Sequence, residues 1–238
     1  MIKTTLHIAT LIMTTTILSA AETNDGWKLL AHDPMTGDWK ETWSQDSDSS
    51  EITSDKDGLT WIADKGNDVL WFKEGPFAGD IKITYEFEHL RDSPNVLILF
   101  VQANGVGGEF SNNILEWQDK RPNAKYSMYK GKMNYLSVSY ANGEDEIRFR
   151  HSIDGKGAVR IGERPGEGTF KVGVVYDITC IREGKDITFQ AENRETGKVH
   201  TWKTQLLEDQ DLEPGWIGFR TMNTQGGRYK NFKIFGKK

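Results

Sequence analysis

The sequence is poor in cysteine and proline and has no tract of basic residues. Cys180 is the only cysteine among 238 residues, which excludes an internal disulfide and favours a buried structural thiol over a catalytic one. Lysine and arginine total 30 against 35 aspartate and glutamate, and they are dispersed among the acids, which argues against nucleic-acid binding. With 6 prolines and 27% charged residues, the composition is that of an ordered globular protein.

The motifs of several common chemistries are also missing. The sequence has no His-Glu-x-x-His zinc motif, no Gly-x-x-x-x-Gly-Lys-Ser/Thr phosphate loop and no Gly-x-Ser-x-Gly nucleophile elbow. Zinc and nucleotide chemistry are therefore disfavoured, and we predict that the protein needs no cofactor.

Residues 1–21 have the composition of an export signal. Lys3 precedes the mostly apolar, threonine-rich stretch Leu6–Leu18, and the segment ends in Ser19-Ala20-Ala21, with small residues where a signal peptidase cleaves. The apolar stretch, about 13 residues, is shorter than the roughly 20 that a membrane-spanning helix needs. We expect a signal peptide at 1–21, a secreted or periplasmic location, no membrane span, and a single domain over 22–238.

Alternation of apolar and polar residues recurs along 22–238, while helical periodicity is almost absent. In Ile81 to Glu88 every second residue from Ile81 to Phe87 is apolar. One face of this strand therefore packs in the core and the other faces solvent. Further strands are predicted at 27–31, 58–63, 69–73, 95–101, 112–118, 133–140, 145–151, 174–182, 185–192, 197–204, 215–222 and 228–235, with an exposed loop at 44–54. So many short strands fit two stacked sheets, and the sequence predicts an all-β fold, a two-sheet antiparallel β-sandwich.

Strand alternation also gathers polar side chains on one outer face. In 145–151, Ile147 and Phe149 face inward and leave Arg148 and Arg150 outward. The same rule, applied to 112–118, 133–140 and 215–222, adds Glu116, Gln118, Tyr135, Ser137, Trp216 and Arg220. If these strands share one sheet, their outer side is a sugar-binding floor, and its arginines favour an anionic ligand. The other interpretation is a solvated face on which arginine and glutamate form only cross-strand ion pairs.

Two pairs of segments resemble a known superfamily. Gly215-Trp216-Ile217-Gly218-Phe219-Arg220, followed by Tyr229-Lys230-Asn231-Phe232-Lys233-Ile234, resembles the closing strands of concanavalin-like jelly rolls. Asn134–Tyr140 with Ile147–Arg150 is similar to the paired motifs of the bacterial YesU-like family of polysaccharide-utilisation proteins. The resemblance implies a jelly roll over 27–236 whose first strand pairs with its last, and a polysaccharide or oligosaccharide as partner. It also implies a structural calcium ion, for which Asp25, Asp33 and Asp38 are the candidate ligands.

The function implied by this resemblance is an exported protein that degrades an anionic polysaccharide. In a lyase, Tyr135 or His151 would move protons, and the groups that bind or neutralise the substrate would be Gln118, Ser137, Arg148, Arg150 and Arg220. In a glycoside hydrolase, Glu116 would be the acid, because its apolar neighbours would favour the protonated form. The Glu-x-Asp-x-x-Glu strand of jelly-roll glucanases is absent, however.

Two non-catalytic functions stay open. The first is a carbohydrate-binding module, in which Trp216, one of 8 tryptophans, would stack on a sugar ring. The second is a structural or assembly protein of the cell envelope. The sequence decides neither the glycan nor the oligomeric state.

Overall fold

The computed structural model describes residues 26–142, 146–166, 168–207, 212 and 214–237. The predicted signal peptide and Asp25 lie outside the described residues. The strands are β1 (Trp27–Asp33), β2 (Trp43–Gln45), β3 (Glu51–Asp55), β4 (Gly58–Ile62), β5 (Asp68–Phe72), β6 (Ile81–His89), β7 (Leu97–Gly105), β8 (Met133–Tyr140), β9 (Glu146–Ser152), β10 (Ala158–Pro165), β11 (Val175–Glu183), β12 (Asp186–Asn193), β13 (Val199–Gln205), β14 (Trp216–Thr221) and β15 (Gly226–Lys237). Short helices are α1 (Trp39–Thr42), the 3₁₀ helix (Ile114–Lys120) and α2 (Tyr126–Tyr129).

The strands form two antiparallel sheets. Sheet A has the order β13-β12-β11-β6-β15-β4-β3, with β1 also paired to β15, and sheet B has the order β10-β9-β8-β7-β14-β5-β2. The predicted two-sheet antiparallel β-sandwich is confirmed. The pairing of the first strand with the last is also confirmed, since Leu29 lies opposite Phe235 and Ala31 opposite Ile234. None of the described helices is long or apolar enough to cross a membrane.

The main core lies between the two sheets and follows the predicted alternation. Along β6 the residues from Ile81 to His89 are alternately buried and half-buried, as a strand with one wet face requires. Tyr85 of sheet A reaches Tyr140 of sheet B, and their hydroxyl oxygens are 2.9 Å apart. Cys180 is fully buried in this core, which confirms the predicted structural thiol, and burial raises its pKa to about 12.

Two sequence predictions about local structure are wrong, and one strand was missed. Residues 112–118 are not a strand: the Asn113 side chain accepts a hydrogen bond from the Leu115 amide at 3.1 Å and caps the 3₁₀ helix. The segment 44–54 is not a loop throughout, because it holds the end of β2 and most of β3. Strand β10 was not predicted, since as an edge strand it is partly exposed on both faces and shows no alternation.

Candidate functional site

The outer face of sheet B is covered on one side by the segment 106–132, which contains the 3₁₀ helix and α2. Trp117 and Tyr129 of this segment pack with Trp71, Phe100 and other outward-facing residues of the sheet in a second hydrophobic cluster. The run 95–101 is nearly continuous in apolar residues, which is the pattern of a strand covered on both faces. The second hydrophobic cluster covers its outer face. The covering segment therefore forms a wall above the sheet.

A buried ion pair fastens this wall to Asp46, the residue that follows edge strand β2 of sheet B. The guanidinium of Arg121 donates to both carboxylate oxygens of Asp46, with Nε–Oδ2 at 2.6 Å and Nη2–Oδ1 at 2.9 Å, and both side chains are inaccessible to solvent. Asp46 also accepts a hydrogen bond from Gln118 at 3.0 Å, and the Tyr129 hydroxyl lies 3.4 Å away. The same guanidinium lies 4.1 Å from the ring centroid of Trp117. The wall is thus held by a buried ion pair whose two members make further contacts with Gln118, Tyr129 and Trp117 of the wall.

Between this wall and strands β8 and β9 lies a cavity of about 450 Å³, which we call the arginine cavity. Its floor consists of outward-facing side chains from four neighbouring strands: Ile98 and Phe100 of β7, Tyr135 and Ser137 of β8, Arg148 and Arg150 of β9, and Arg220 of β14. Tyr126 and Tyr129 of α2 line the wall. The volume lies within the range of small-molecule sites, about 300–1,000 Å³. The three arginines and Tyr135 share one groove as predicted, but Gln118, which was expected beside them, does not line it.

Arg150 is a cation without a carboxylate partner among the described residues. It lies opposite Ser137 in the sheet, and its Nη1 donates to the Ser139 hydroxyl at 3.2 Å. Burial lowers the pKa of the guanidinium, and the positive charges of Arg148 and Arg160 lower it further. Both effects disfavour an isolated charge, so an anion bound beside Arg150 would be stabilised.

Arg220 is the second such cation, and it is almost fully buried. Its Nε donates to the carbonyl oxygen of Ala124 at 3.0 Å, and its Cζ lies 5.7 Å from the ring centroid of Tyr129. No described carboxylate lies within ion-pair distance, and burial lowers the pKa of this guanidinium also. Both contacts come from the covering segment, so the wall orients Arg220.

Arg148 differs from these two because its charge is already compensated. Its Nε donates to Glu146 at 2.8 Å and to Glu163 of β10 at 3.2 Å. Glu163 lies opposite Arg148 in the pairing of β9 with β10 and also binds Arg160. The sequence left two interpretations of this face open, a ligand-binding floor and a solvated face with cross-strand ion pairs. Arg148 forms such ion pairs, while Arg150 and Arg220 do not.

A fourth polar side chain of the cavity floor is Tyr135 of β8. Its ring packs edge-to-face on Phe100, with centroids 5.0 Å apart, and only 4% of the residue is exposed. Among the described residues nothing forms a hydrogen bond with its hydroxyl, so this group is available to a ligand. Burial raises the pKa of Tyr135, while the charges of Arg220 and Arg150 oppose the rise.

Two of the predicted catalytic side chains lie elsewhere. Glu116 is exposed on the 3₁₀ helix, where it accepts from Asn113 at 3.3 Å, so the apolar setting expected for an acid is missing. His151 is buried on the opposite face of sheet B from the cavity, because it continues the inward alternation of Ile147 and Phe149. Burial, with the charge of Arg182 as a smaller cause, lowers the pKa of His151 to about 4.

Two of the predicted binding residues are also outside the cavity. Gln118 accepts from the Ser44 hydroxyl at 2.7 Å and donates to Asp46, so its amide is occupied in the network that holds the wall. Trp216 faces outward from sheet B as predicted, but it is 6% exposed within the second hydrophobic cluster and beside Gly75. A sugar cannot stack on a ring that is covered in this way.

The acidic residues proposed as calcium ligands have other partners. Asp33 accepts hydrogen bonds from the Met35 amide, the Thr42 hydroxyl and the indole nitrogen of Trp43, at 2.7, 2.6 and 2.6 Å. Asp38 caps α1 by accepting from the Lys40 amide at 3.0 Å. In the part of the chain that the structure describes, no three metal-ligating side chains form a cluster.

The comparisons with known proteins give a family and a fold. Residues 35–234 match the model of a family described as a domain of unknown function, DUF1961, and no curated protein sequence matches the chain. A protein of unknown function with a galectin-like fold from Bacillus subtilis superposes with a TM-score of 0.70 at 18% identity, covering 89% of this chain and 100% of that chain. The carbohydrate-binding module CBM66 from Bacillus subtilis has a TM-score of 0.55 at 12% identity, covering 85% and 97%.

Peanut lectin is also similar in structure, with a TM-score of 0.58 at 11% identity over 86% of this chain and 95% of that chain. At these identities the similarity shows the fold alone. The fold is a lectin-like β-sandwich, which confirms the concanavalin-like architecture expected from the closing strands.

Proposed function

The chain belongs to the DUF1961 family, whose description assigns no function, and we propose that it is a binding protein for a negatively charged carbohydrate. The observation that carries this proposal is the pair of guanidinium groups, Arg150 and Arg220, that line one cavity with no described carboxylate to neutralise them. A carboxylate or sulfate would supply that charge and accept two parallel hydrogen bonds from an arginine.

The remaining lining of the cavity supports a sugar rather than a small inorganic anion. Ile98 and Phe100 offer an apolar surface, and the hydroxyls of Tyr135 and Ser137 stand beside it. A sugar ring presents both kinds of surface, and small-molecule sites usually combine an apolar lining with a few polar groups. Two of the structural neighbours are a carbohydrate-binding module and a lectin, which agrees with this assignment.

The proposed setting of this binding is outside the cytoplasm. The signal predicted at 1–21 would deliver the protein to where such polymers occur, and the resemblance to YesU-like polysaccharide-utilisation proteins stays a prediction from the sequence. A structural calcium ion likewise stays a prediction.

A lyase is the second candidate function, and the observation in its favour is the free hydroxyl of Tyr135 in a cavity that two uncompensated arginines also line. A tyrosine can transfer a proton in catalysis, and the charges of Arg220 and Arg150 oppose the rise in the pKa of Tyr135 that burial causes. Of the three predicted catalytic residues, only Tyr135 lines the cavity. If the protein is a lyase, incubation with alginate or polygalacturonate will generate the absorbance of unsaturated uronate, and Tyr135→Phe will abolish it while binding persists. Binding without any product supports the binding protein instead.

The binding proposal is tested by measuring affinity for a panel of glycans by calorimetry. The panel contains polygalacturonate, alginate, chondroitin sulfate and, as the neutral reference, dextran. We expect at least one anionic glycan to bind and dextran not to bind. Arg150→Gln should weaken that binding about 10- to 150-fold, which corresponds to the roughly 1.5–3 kcal/mol of one charge-assisted hydrogen bond.

Lys203→Gln is the matched control, because it removes the same charge from an exposed position on β13 of the other sheet. Its affinity should equal that of the unmodified protein. The proposal fails if no anionic glycan binds, or if the two variants weaken binding equally.

A further inference from the structure

The two uncompensated arginines lie on opposite sides of the cavity floor. Arg220 lies opposite Ile98 across the β14–β7 pairing, and Ile98 lies opposite Ser139 across the β7–β8 pairing. The hydroxyl of Ser139 accepts from Nη1 of Arg150 at 3.2 Å, which places that guanidinium over β8. Strands β14 and β8 are separated by two strand spacings, about 10 Å. Strand β14, which carries Arg220, and strand β8, over which the Arg150 guanidinium lies, are therefore farther apart than one sugar ring is wide.

Apolar surface lies between these two strands. Ile98 and Phe100 project from β7, the strand that lies between β14 and β8. No acidic residue is among the described residues that line the cavity. The floor thus has a positive charge at each end and an apolar centre.

Each arginine is anchored on its own side. The Nε of Arg220 is bound to the carbonyl of Ala124 in the wall, and Nη1 of Arg150 is bound to Ser139 on β8. No described group accepts a hydrogen bond from either terminal nitrogen of Arg220. Because the two side chains are held on different elements, the wall and β8, a carboxylate bound at one arginine leaves the other without a counter-ion.

We propose that the ligand is a short acidic oligosaccharide with negative groups on two adjoining sugar units, one bound by Arg150 and the other by Arg220, and an uncharged ring face over Ile98 and Phe100. This inference rests on the proposed function and specifies its ligand class. The negative groups are carboxylates or sulfates, because either accepts two hydrogen bonds from a guanidinium. Arg148, whose charge is already taken by Glu146 and Glu163, contributes less to binding than the other two arginines.

The first test varies the ligand and uses the unmodified protein. Calorimetry compares galacturonate, digalacturonate, the monomethyl ester of digalacturonate and a disulfated chondroitin disaccharide. We expect digalacturonate or the disulfated disaccharide to bind at least about 10-fold more tightly than galacturonate, and the stronger of the two identifies carboxylate or sulfate as the preferred group. Esterifying one carboxyl of digalacturonate should remove most of its advantage if carboxylate is the preferred group. Equal affinities for singly and doubly charged ligands would overturn the two-point arrangement.

The second test varies the protein. Arg150→Gln and Arg220→Gln should each remove most of the advantage of the doubly charged ligand, whereas Arg148→Gln, the matched variant in the same cavity, should have a smaller effect. Because Arg220 is buried, Arg220→Lys is measured in parallel. It should fold, and its loss of affinity should be smaller than that of Arg220→Gln, since lysine keeps the charge but lacks the planar guanidinium that forms two parallel hydrogen bonds.

The outcomes separate this inference from the proposed function. If Arg150→Gln weakens binding while both folded Arg220 variants do not, the second binding point is refuted and carbohydrate binding stands. If no acidic carbohydrate binds to the unmodified protein, both the inference and the proposed function are refuted.

Discussion

The buried pair of Arg121 and Asp46 offers the sharpest test of how the cavity wall is held. We consider Arg121→Met, which removes the charge and keeps an unbranched side chain over the ring of Trp117. The carboxylate of Asp46 then loses the two short hydrogen bonds from the guanidinium and remains buried as an uncompensated charge. Breaking a buried pair in this way costs about 3–5 kcal/mol of unfolding free energy.

That cost predicts a large change in a simple measurement. For a domain of this size a loss of 1 kcal/mol lowers Tm by about 2–4 °C, so we expect Arg121→Met to melt about 6–20 °C below the unmodified protein. Urea unfolding gives the free energy directly. Amide exchange should accelerate in the segment 106–132, since the pair fastens that segment to sheet B.

The double variant Asp46→Asn with Arg121→Met is the internal control. It removes the buried negative charge that the single variant leaves behind, and we expect it to recover about 1–3 kcal/mol. The reasoning is refuted if Arg121→Met costs less than about 1 kcal/mol, which is the value for an exposed ion pair. It is also refuted if adding Asp46→Asn makes the protein less stable.

Two further predictions concern the core and the sheet. Burial lowers the pKa of His151 to about 4, with Arg182 as a smaller cause, so the unfolded chain binds more protons and stability falls as the pH drops from about 6.5 towards 4. His151 should contribute a loss of about 2 kcal/mol between pH 7 and pH 5, measured by urea unfolding as the difference in pH dependence between the unmodified protein and His151→Leu, and an unchanged pH dependence in that variant contradicts the assignment. Gly218→Ala would place a methyl group 2.4 Å from the ring of Trp71 and should cost about 1–3 kcal/mol, whereas Gly37→Ala, with no atom within 4 Å, should leave the urea midpoint unchanged. Equal midpoints for the two glycine variants would refute the packing argument.

Alternation by itself placed much of the candidate site correctly. It put Arg150, Tyr135 and Arg220 on the outer side of their strands, because successive side chains of a strand point to opposite faces whatever the rest of the protein does. The same rule, continued two residues past Phe149, puts His151 in the core. The prediction of His151 as a catalytic residue could therefore have been rejected from the sequence.

What the sequence alone determined about this protein is therefore local: the strands, the face on which each side chain lies, and from their number a two-sheet sandwich. Tertiary structure decided which of these side chains form a site. Asp46 and Arg121 are distant in the chain and meet only when the wall folds over sheet B, which makes a cavity out of an open face. Likewise, the register of β9 with β10 gives Arg148 its carboxylate partner and leaves Arg150 without one. Charge compensation depends on which strands become neighbours, and the alternation within a single strand carries no information about its neighbours.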